Sequence, residues 1–349
     1  TPGEVDGKHF QIVQDPKFAA MASVDGGLTW KGVETVDEAF AEIAKAKGPI
    51  LVYLLKDETT VTTVLSDQAK TDAVIMGPAH KRRTIIDGRT GIQSEDALFT
   101  LQGNLTLRNV TFDGRGQTGK FIELMGSKTV TLDNCKVTGY KCSNPVNGKI
   151  QLISASSAGA GVRLVLNDTE LTGNDVSCAV STEDRSGSGF TYPVYVSGRT
   201  TITDNVGKGI VSTGYGQVVM AGPLTGGWID VAYDGYGARN YFATTVADLV
   251  YPGVENFRYD GGNPFIEKTC GAYAYNVTTG NLERDLAGRI LIKWGEDERQ
   301  WAAKVTYASG AYRLFETVEE ALQNVDDGAA LKLENDATVK RSVTVRLDD

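Results

Sequence analysis

The chain of 349 residues predicts a mainly β protein, a solenoid of short strands stacked coil upon coil. Three observations carry that expectation. One short pattern recurs through the middle of the chain. Glycine is frequent, at 40 residues, and proline scarce, at 9, which suits tight turns between short strands. A helix-opening phrase is also written twice, once near each end.

The recurring pattern is clearest in LTLRNVTFDG, residues 105–114, which aligns with VTLDNCKVTG, 130–139, and LVLNDTELTG, 164–173. TTITDNVG, 200–207, is a weaker copy, and RTIIDG, 83–88, an earlier relative. Each reads apolar-x-apolar-x-Asn/Asp, the period-two alternation of a strand with one buried face. The Asn/Asp column comprises Asp87, Asn109, Asn134, Asp168 and Asp204. These residues are expected to end strands, to tolerate left-handed backbone geometry and to stack as a structural ladder at one corner. ALFTL, 97–101, and FIEL, 121–124, add further strands that stop at Gly103 and Gly126.

Coils of this length, with irregular loops at their corners, resemble the right-handed parallel β-helix of pectin-lyase-like proteins. The resemblance covers roughly residues 51–231.

The repeated phrase is ETVDEAF at 34–40 and ETVEEAL at 316–322. In the first copy Val36, Ala39, Phe40 and Ile43 fall on one helical stripe. Thr35 followed by Glu38 forms a capping box, and Gly48 supplies a stop. The flanks match as well, with Trp30 opposite Tyr312, and LLKDETTV, 54–61, opposite KLENDATV, 332–339. The expected organisation follows. Residues 1–30 are lead-in strands, and 31–235 form the parallel β-helix with a capping helix at 35–47. Residues 236–300 are irregular Tyr/Gly-rich last coils and a connector ending in ILIKW. Residues 301–349 are a small α/β segment repeating the cap, either a lid or the start of a further module. The cap phrase resembles the head of repeated β-helix modules in large secreted or wall-attached bacterial proteins. That resemblance implies an extracellular or cell-surface location and a longer multi-module chain.

Net charge is −9 and the pI near 5.0, which disfavours nucleic acid as a partner. The basic run at 80–83, HKRR, reads as a solvated turn. No stretch approaches the ~20 apolar residues of a membrane helix, so no membrane insertion is expected. Cys135, Cys142, Cys178 and Cys270 show no CxxC spacing. They read as buried free thiols, with a Cys135–Cys142 bond left open.

No catalytic residue, metal site or cofactor can be assigned. Asp-Asp pairs occur only at 326–327 and 348–349, and neither His9 nor His80 precedes a glycine. WID at 228–230 continues into Val231 rather than a histidine. Those are departures from what the hydrolases and lyases of the resembled fold would need. The aromatic group Trp228, Tyr233, Tyr236 and Tyr241, interleaved with Asp230 and Asp234, is a candidate ligand face, able to stack on sugar rings and bond their hydroxyls. The competing reading has these aromatics closing the end of the core. The expected function is a non-catalytic surface module, adhesin-like, glycan-binding or structural. Its partner would be a polysaccharide or glycoprotein of a host or plant. The alternative is a polysaccharide lyase or glycoside hydrolase drawing acids from Asp113, Glu123, Asp133 and Glu170. It requires those carboxylates to converge in one cleft with a basic residue.

Overall fold

The computed structural model describes residues 2–5, 8–11, 17–46, 48–65, 71–93, 95–126, 128–144, 148–158, 161–184, 192–212, 218–233, 241–245, 251–253, 256–258, 264–268, 273–276, 281–284, 290–294 and 301–334. The molecule is mainly β, and its centre is a parallel β-solenoid of about 6 turns.

Each coil contributes strands to three stacks. The first stack begins with Ile50–Leu54 and Ala73–Met76 and continues through Leu105–Arg108, Thr129–Asp133, Arg163–Asn167, Val194–Gly198 and Val218–Leu224. The second runs from Glu58–Val61 through Arg83–Asp87, Val110–Asp113, Lys136–Thr138 and Glu170–Thr172 to Thr201–Thr203. The third holds Ala97–Leu101, Lys120–Gly126, Ile153–Ala158, Cys178–Asp184 and Lys208–Ser212. The strand Ile229–Tyr233 then joins both, pairing with the second stack at Ile202 and with the third at Ile210.

Parallel registers place like residues above one another. Leu105 pairs with Val130, Val130 with Leu164, and Leu164 with Val194. All four are buried, as are their neighbours two places along, Leu107, Leu132, Leu166 and Val196. The period-two pattern thus becomes an inner apolar ladder whose burial drives the fold. A file of rings also fills the early coils. Phe40 meets Phe99 with centroids 5.8 Å apart, and Phe99, Phe112, Phe121 and Tyr140 follow at 4.8 to 5.9 Å.

Two corners, rather than one, use left-handed residues. At the first corner Asn109, Asn134 and Asp168 have φ of 55°, 50° and 49°, and Gly198 continues the column at 66°. Asn134 donates to Asn109 Oδ1 at 2.8 Å, so the stacked amides share hydrogen bonds. The second corner holds Gly139 at 77°, Gly173 at 71° and Asp204 at 55°. Asp204 therefore leaves the expected column: Thr172 pairs with Thr203, which sets Asp204 above Gly173. Asp87 leaves it too. Arg83 pairs with Val110, so RTIIDG matches the VTFDG half of the repeat, and Gly77 stands where the first column would continue. Both strand types share one alternation, so periodicity alone does not say which corner follows.

Behind each corner an inward residue bonds the preceding coil. Thr169 Oγ1 donates to Leu132 O at 3.0 Å, and Thr200 Oγ1 to Leu166 O at 3.2 Å. Cys135 fills the equivalent place, its Sγ 3.2 Å from Leu107 O. An asparagine ladder follows the second corner, with Asn174 Nδ2 donating to Val137 O at 3.1 Å and Asn205 Nδ2 to Leu171 O at 2.9 Å. Cys135, Cys142 and Cys178 are all free and buried, and burial pushes each thiol up to about 12. The run at 80–83 begins as an exposed turn at His80 and Lys81, as expected, and its arginines also act as a staple. Lys81 and Arg83 both pair with Asp57. Arg82 reaches across coils to Asn134 Oδ1 at 2.9 Å and Glu170 Oε1 at 2.5 Å.

The helix Val36–Lys45 lies over the first coil, with Val36, Ala39, Phe40 and Ile43 buried. Thr35 Oγ1 accepts from Glu38 N at 3.2 Å, and Glu38 Oε2 accepts from Glu34 N at 3.0 Å. A small antiparallel sheet flanks the helix, in which Ala20–Ser23 pairs with both Lys31–Val33 and Ile50–Leu54. At the far end, Tyr241–Thr245 extends the first stack in parallel. Ile290–Trp294, the expected connector end, instead enters that sheet antiparallel, between Tyr241–Thr245 and Pro264–Lys268.

The second cap forms with the same topology. Ala303–Thr306 is the central strand between Tyr312–Phe315 and Ala330–Leu333, and the helix Val318–Leu322 packs on it.

Candidate functional site

The candidate ligand face begins where the second stack turns into its last strand. Gly226 and Gly227 pack against Arg199 and Thr201 so closely that a Cβ on Gly226 would lie 2.5 Å from Arg199 backbone atoms. This tight turn throws the next side chain, Trp228, outward, where it is 48% exposed. Trp228 therefore does not close the core, in contrast to the competing expectation.

Two residues on, Asp230 projects beside it. Arg258, on the short strand Phe257–Arg258, meets Asp230 in a forked pair, with Nε 2.6 Å from Oδ1 and Nη2 2.9 Å from Oδ2. Nη2 also donates to Thr203 Oγ1 at 2.7 Å. The guanidinium carbon stands 5.8 Å from the centre of the Trp228 ring. Asp230 thus positions the arginine, and the arginine braces the tryptophan, a geometry that fixes an aromatic plane at the surface. A cavity of about 550 Å³ opens alongside, lined by Gly207, Lys208, Gly209, Asp230 and Arg258.

The other members of the predicted face fall differently. Tyr233 ends the strand Ile229–Tyr233 and Tyr241 begins Tyr241–Thr245, so both lie on strands of the last coils. Asp234 and Tyr236 lie outside the described residues. Arg258 and Thr203 escaped the sequence reading. Arg258 follows 28 residues after Asp230, and nothing in a lone Phe-Arg dipeptide marks it as a partner.

The four acids of the enzymatic alternative separate. Asp133 lies on the first stack and pairs with Arg108 at 2.9 Å. Asp113 and Glu170 lie on the second, Asp113 3.7 Å from Arg115 and Glu170 held by Arg82. Glu123 is on the third, 2.7 Å from Lys120. On three different stacks and each beside a cation, with Glu123 sharing Lys120 with Glu95, they do not converge in one cleft. Among the described residues, no helix is long and apolar enough to cross a membrane.

These features define a parallel β-solenoid with a braced aromatic face on its outer surface. No protein family, curated protein or solved structure matches the chain.

Proposed function

We propose that the protein is a non-catalytic, glycan-binding module of the pectin-lyase-like β-helix kind, displayed outside a bacterial cell as an adhesive surface. The observation that carries the binding reading is Trp228, an exposed indole held by Arg258, which Asp230 and Thr203 hold in turn. An indole fixed in advance loses little conformational entropy when a sugar ring stacks on it, and flanking charged groups orient the hydroxyls. The duplicated cap supports membership of a chain built from repeated modules. The separation of the four acids favours binding over cleavage.

The test is a glycan-array screen of the purified chain with polysaccharide degradation followed in parallel. The expected result is binding without degradation, weakened about fivefold or more by Trp228→Ala, as for the loss of an aromatic stacking platform worth roughly 1 kcal/mol or more. Degradation of any hit with multiple turnovers would overturn the non-catalytic reading. Binding untouched by Trp228→Ala would move the site elsewhere.

A further inference from the structure

We propose a second ligand site, for an uncharged saccharide, in the cavity over the early coils of the third stack. This cavity, of about 540 Å³, is lined by Val64, Glu95, Asp96, Thr100, Lys120 and Glu123, together with Ala97 and Met125. Its volume lies within the range of small-molecule sites.

The floor is built from buried charges. Lys120 and Glu123 are only 2% and 8% exposed. Lys120 Nζ lies 2.7 Å from Glu123 Oε2 and 2.8 Å from Glu95 Oε2, and Ser154 Oγ donates to Glu123 Oε2 at 3.0 Å. Behind them Arg89, buried in a pair with Asp87, donates to Lys120 O at 3.3 Å. Replacing buried pairs of this kind by apolar residues is often neutral or stabilising, so stability alone does not account for them.

The chemistry selects the ligand. Glu95, Asp96 and Glu123 set three carboxylates against one ammonium, so a uronate or a sulfated sugar would meet net repulsion. Among the described residues no three His, Cys, Asp or Glu side chains are grouped to hold a metal ion, which separates this cavity from a cation cage. Carboxylates accept hydrogen bonds, Lys120 donates them and the Thr100 hydroxyl does both, a set that matches the hydroxyls of a sugar. Val64, 44% exposed at the rim, and Met125 offer apolar contact to its C–H face.

The site does not depend on the Trp228 face. From Lys120–Gly126 to Lys208–Ser212 the third stack steps through Ile153–Ala158 and Cys178–Asp184, roughly 14 Å at the usual strand spacing. The two sites are therefore separable by mutation.

The experiment is saturation-transfer NMR on the full chain, with cellobiose, mannobiose and galactobiose as neutral probes and digalacturonate as the charged one. At least one neutral disaccharide should show transfer, and digalacturonate should not. Thr100→Val should weaken binding about threefold to tenfold through the lost hydrogen bond. These effects are read in a Trp228→Ala background, so that the outer face does not contribute. Transfer should persist there, and Val64→Arg, which sets a guanidinium at the exposed rim against Glu95 and Asp96, should abolish it. Absence of transfer from all neutral probes at about 10 mM, a concentration that reveals even millimolar affinity, would overturn the proposal. So would undiminished transfer in Val64→Arg, or transfer from digalacturonate alone. Loss in Trp228→Ala with no loss in the cavity variants would overturn it while leaving the Trp228 reading standing.

Discussion

The two caps of this molecule are the same construction in two settings. In each, a central strand begins with an alanine that pairs on both sides: Ala20 with Val33 and Leu54, Ala303 with Phe315 and Leu333. In each, a threonine in extended conformation caps the helix, Thr35 at φ −129° and Thr317 at φ −132°, with its hydroxyl 3.2 Å from the amide of a glutamate three residues on. The register makes Leu54 the counterpart of Leu333, one place along from the match with Lys332 that the sequence suggests. Burial then diverges. Leu54 is fully buried and Leu333 is 54% exposed. The first cap hands its edge strand to a coil, for Ile50–Leu54 pairs in parallel with Ala73–Met76. Among the described residues Ala330–Leu333 pairs only with Ala303–Thr306. Local sequence sets the cap, while the stacked coil supplies its depth.

The sharpest way to break the comparison is to place a charge at the paired leucines. Leu54→Asp strips a fully buried side chain and leaves an unpartnered carboxylate between the helix and the first coil. A cost above about 4 kcal/mol is expected, enough to unfold the stack. Leu333→Asp, half in solvent, should change stability by about 0.5 kcal/mol or less. Urea denaturation followed by far-UV circular dichroism distinguishes them. Equal effects would mean that the second strand is as deeply packed as the first.

That contrast also marks how far the sequence was legible. The strands, the inner ladder and both caps could be read because period-two alternation and the capping box are local signals. The corners could not all be assigned. Asp87 and Asp204 follow strands of the second stack, whose alternation is the same as that of the first. The role of Arg82 was hidden because its partners, Asn134 and Glu170, lie 52 and 88 residues away in sequence. Burial of Lys120 and Glu123 was equally hidden. They lie three residues apart on one strand, so period-two alternation does not put both on one face, and they form a floor where Glu95 and Asp96 line the cavity with them. At the ligand face, the aromatic could be seen in sequence and its brace could not.

A smaller effect is expected from Asp37, which ties the first helix to the first coil. Its Oδ1 accepts from Thr62 N, Thr63 N and Thr63 Oγ1, and its Oδ2 from Thr62 Oγ1, all at 2.8 Å. Burial pushes this carboxyl up, but the bonds from Thr63 and Thr62 outweigh it and hold the group below its ordinary 3.8. Because the folded value is depressed, the contribution is full above the unfolded value and disappears as pH falls through the folded one. Asp37→Asn should therefore be less stable than wild type at pH 7, by about 1–2 kcal/mol for hydrogen bonds to a charged group. The gap should close below about pH 4 as the wild-type carboxyl protonates. A gap independent of pH would show that shape, rather than charge, holds the helix down.

The smallest effect is the most searching test of equivalence. Thr35→Ala and Thr317→Ala each remove one hydroxyl that accepts one helix amide at the same distance, and each should cost about 1 kcal/mol. The readouts differ because the packing differs. Val36, Ala39, Phe40 and Ile43 join the first helix to the solenoid core, so its loss should lower the midpoint of the main unfolding transition. The second helix packs within a separate small cluster of Ala303, Val305, Phe315 and Ala321. Loss of its cap should appear as faster amide exchange at Glu320 and its neighbours, with the main transition unmoved. If Thr317→Ala lowered the main transition as much as Thr35→Ala, the second cap would be coupled to the stack as tightly as the first.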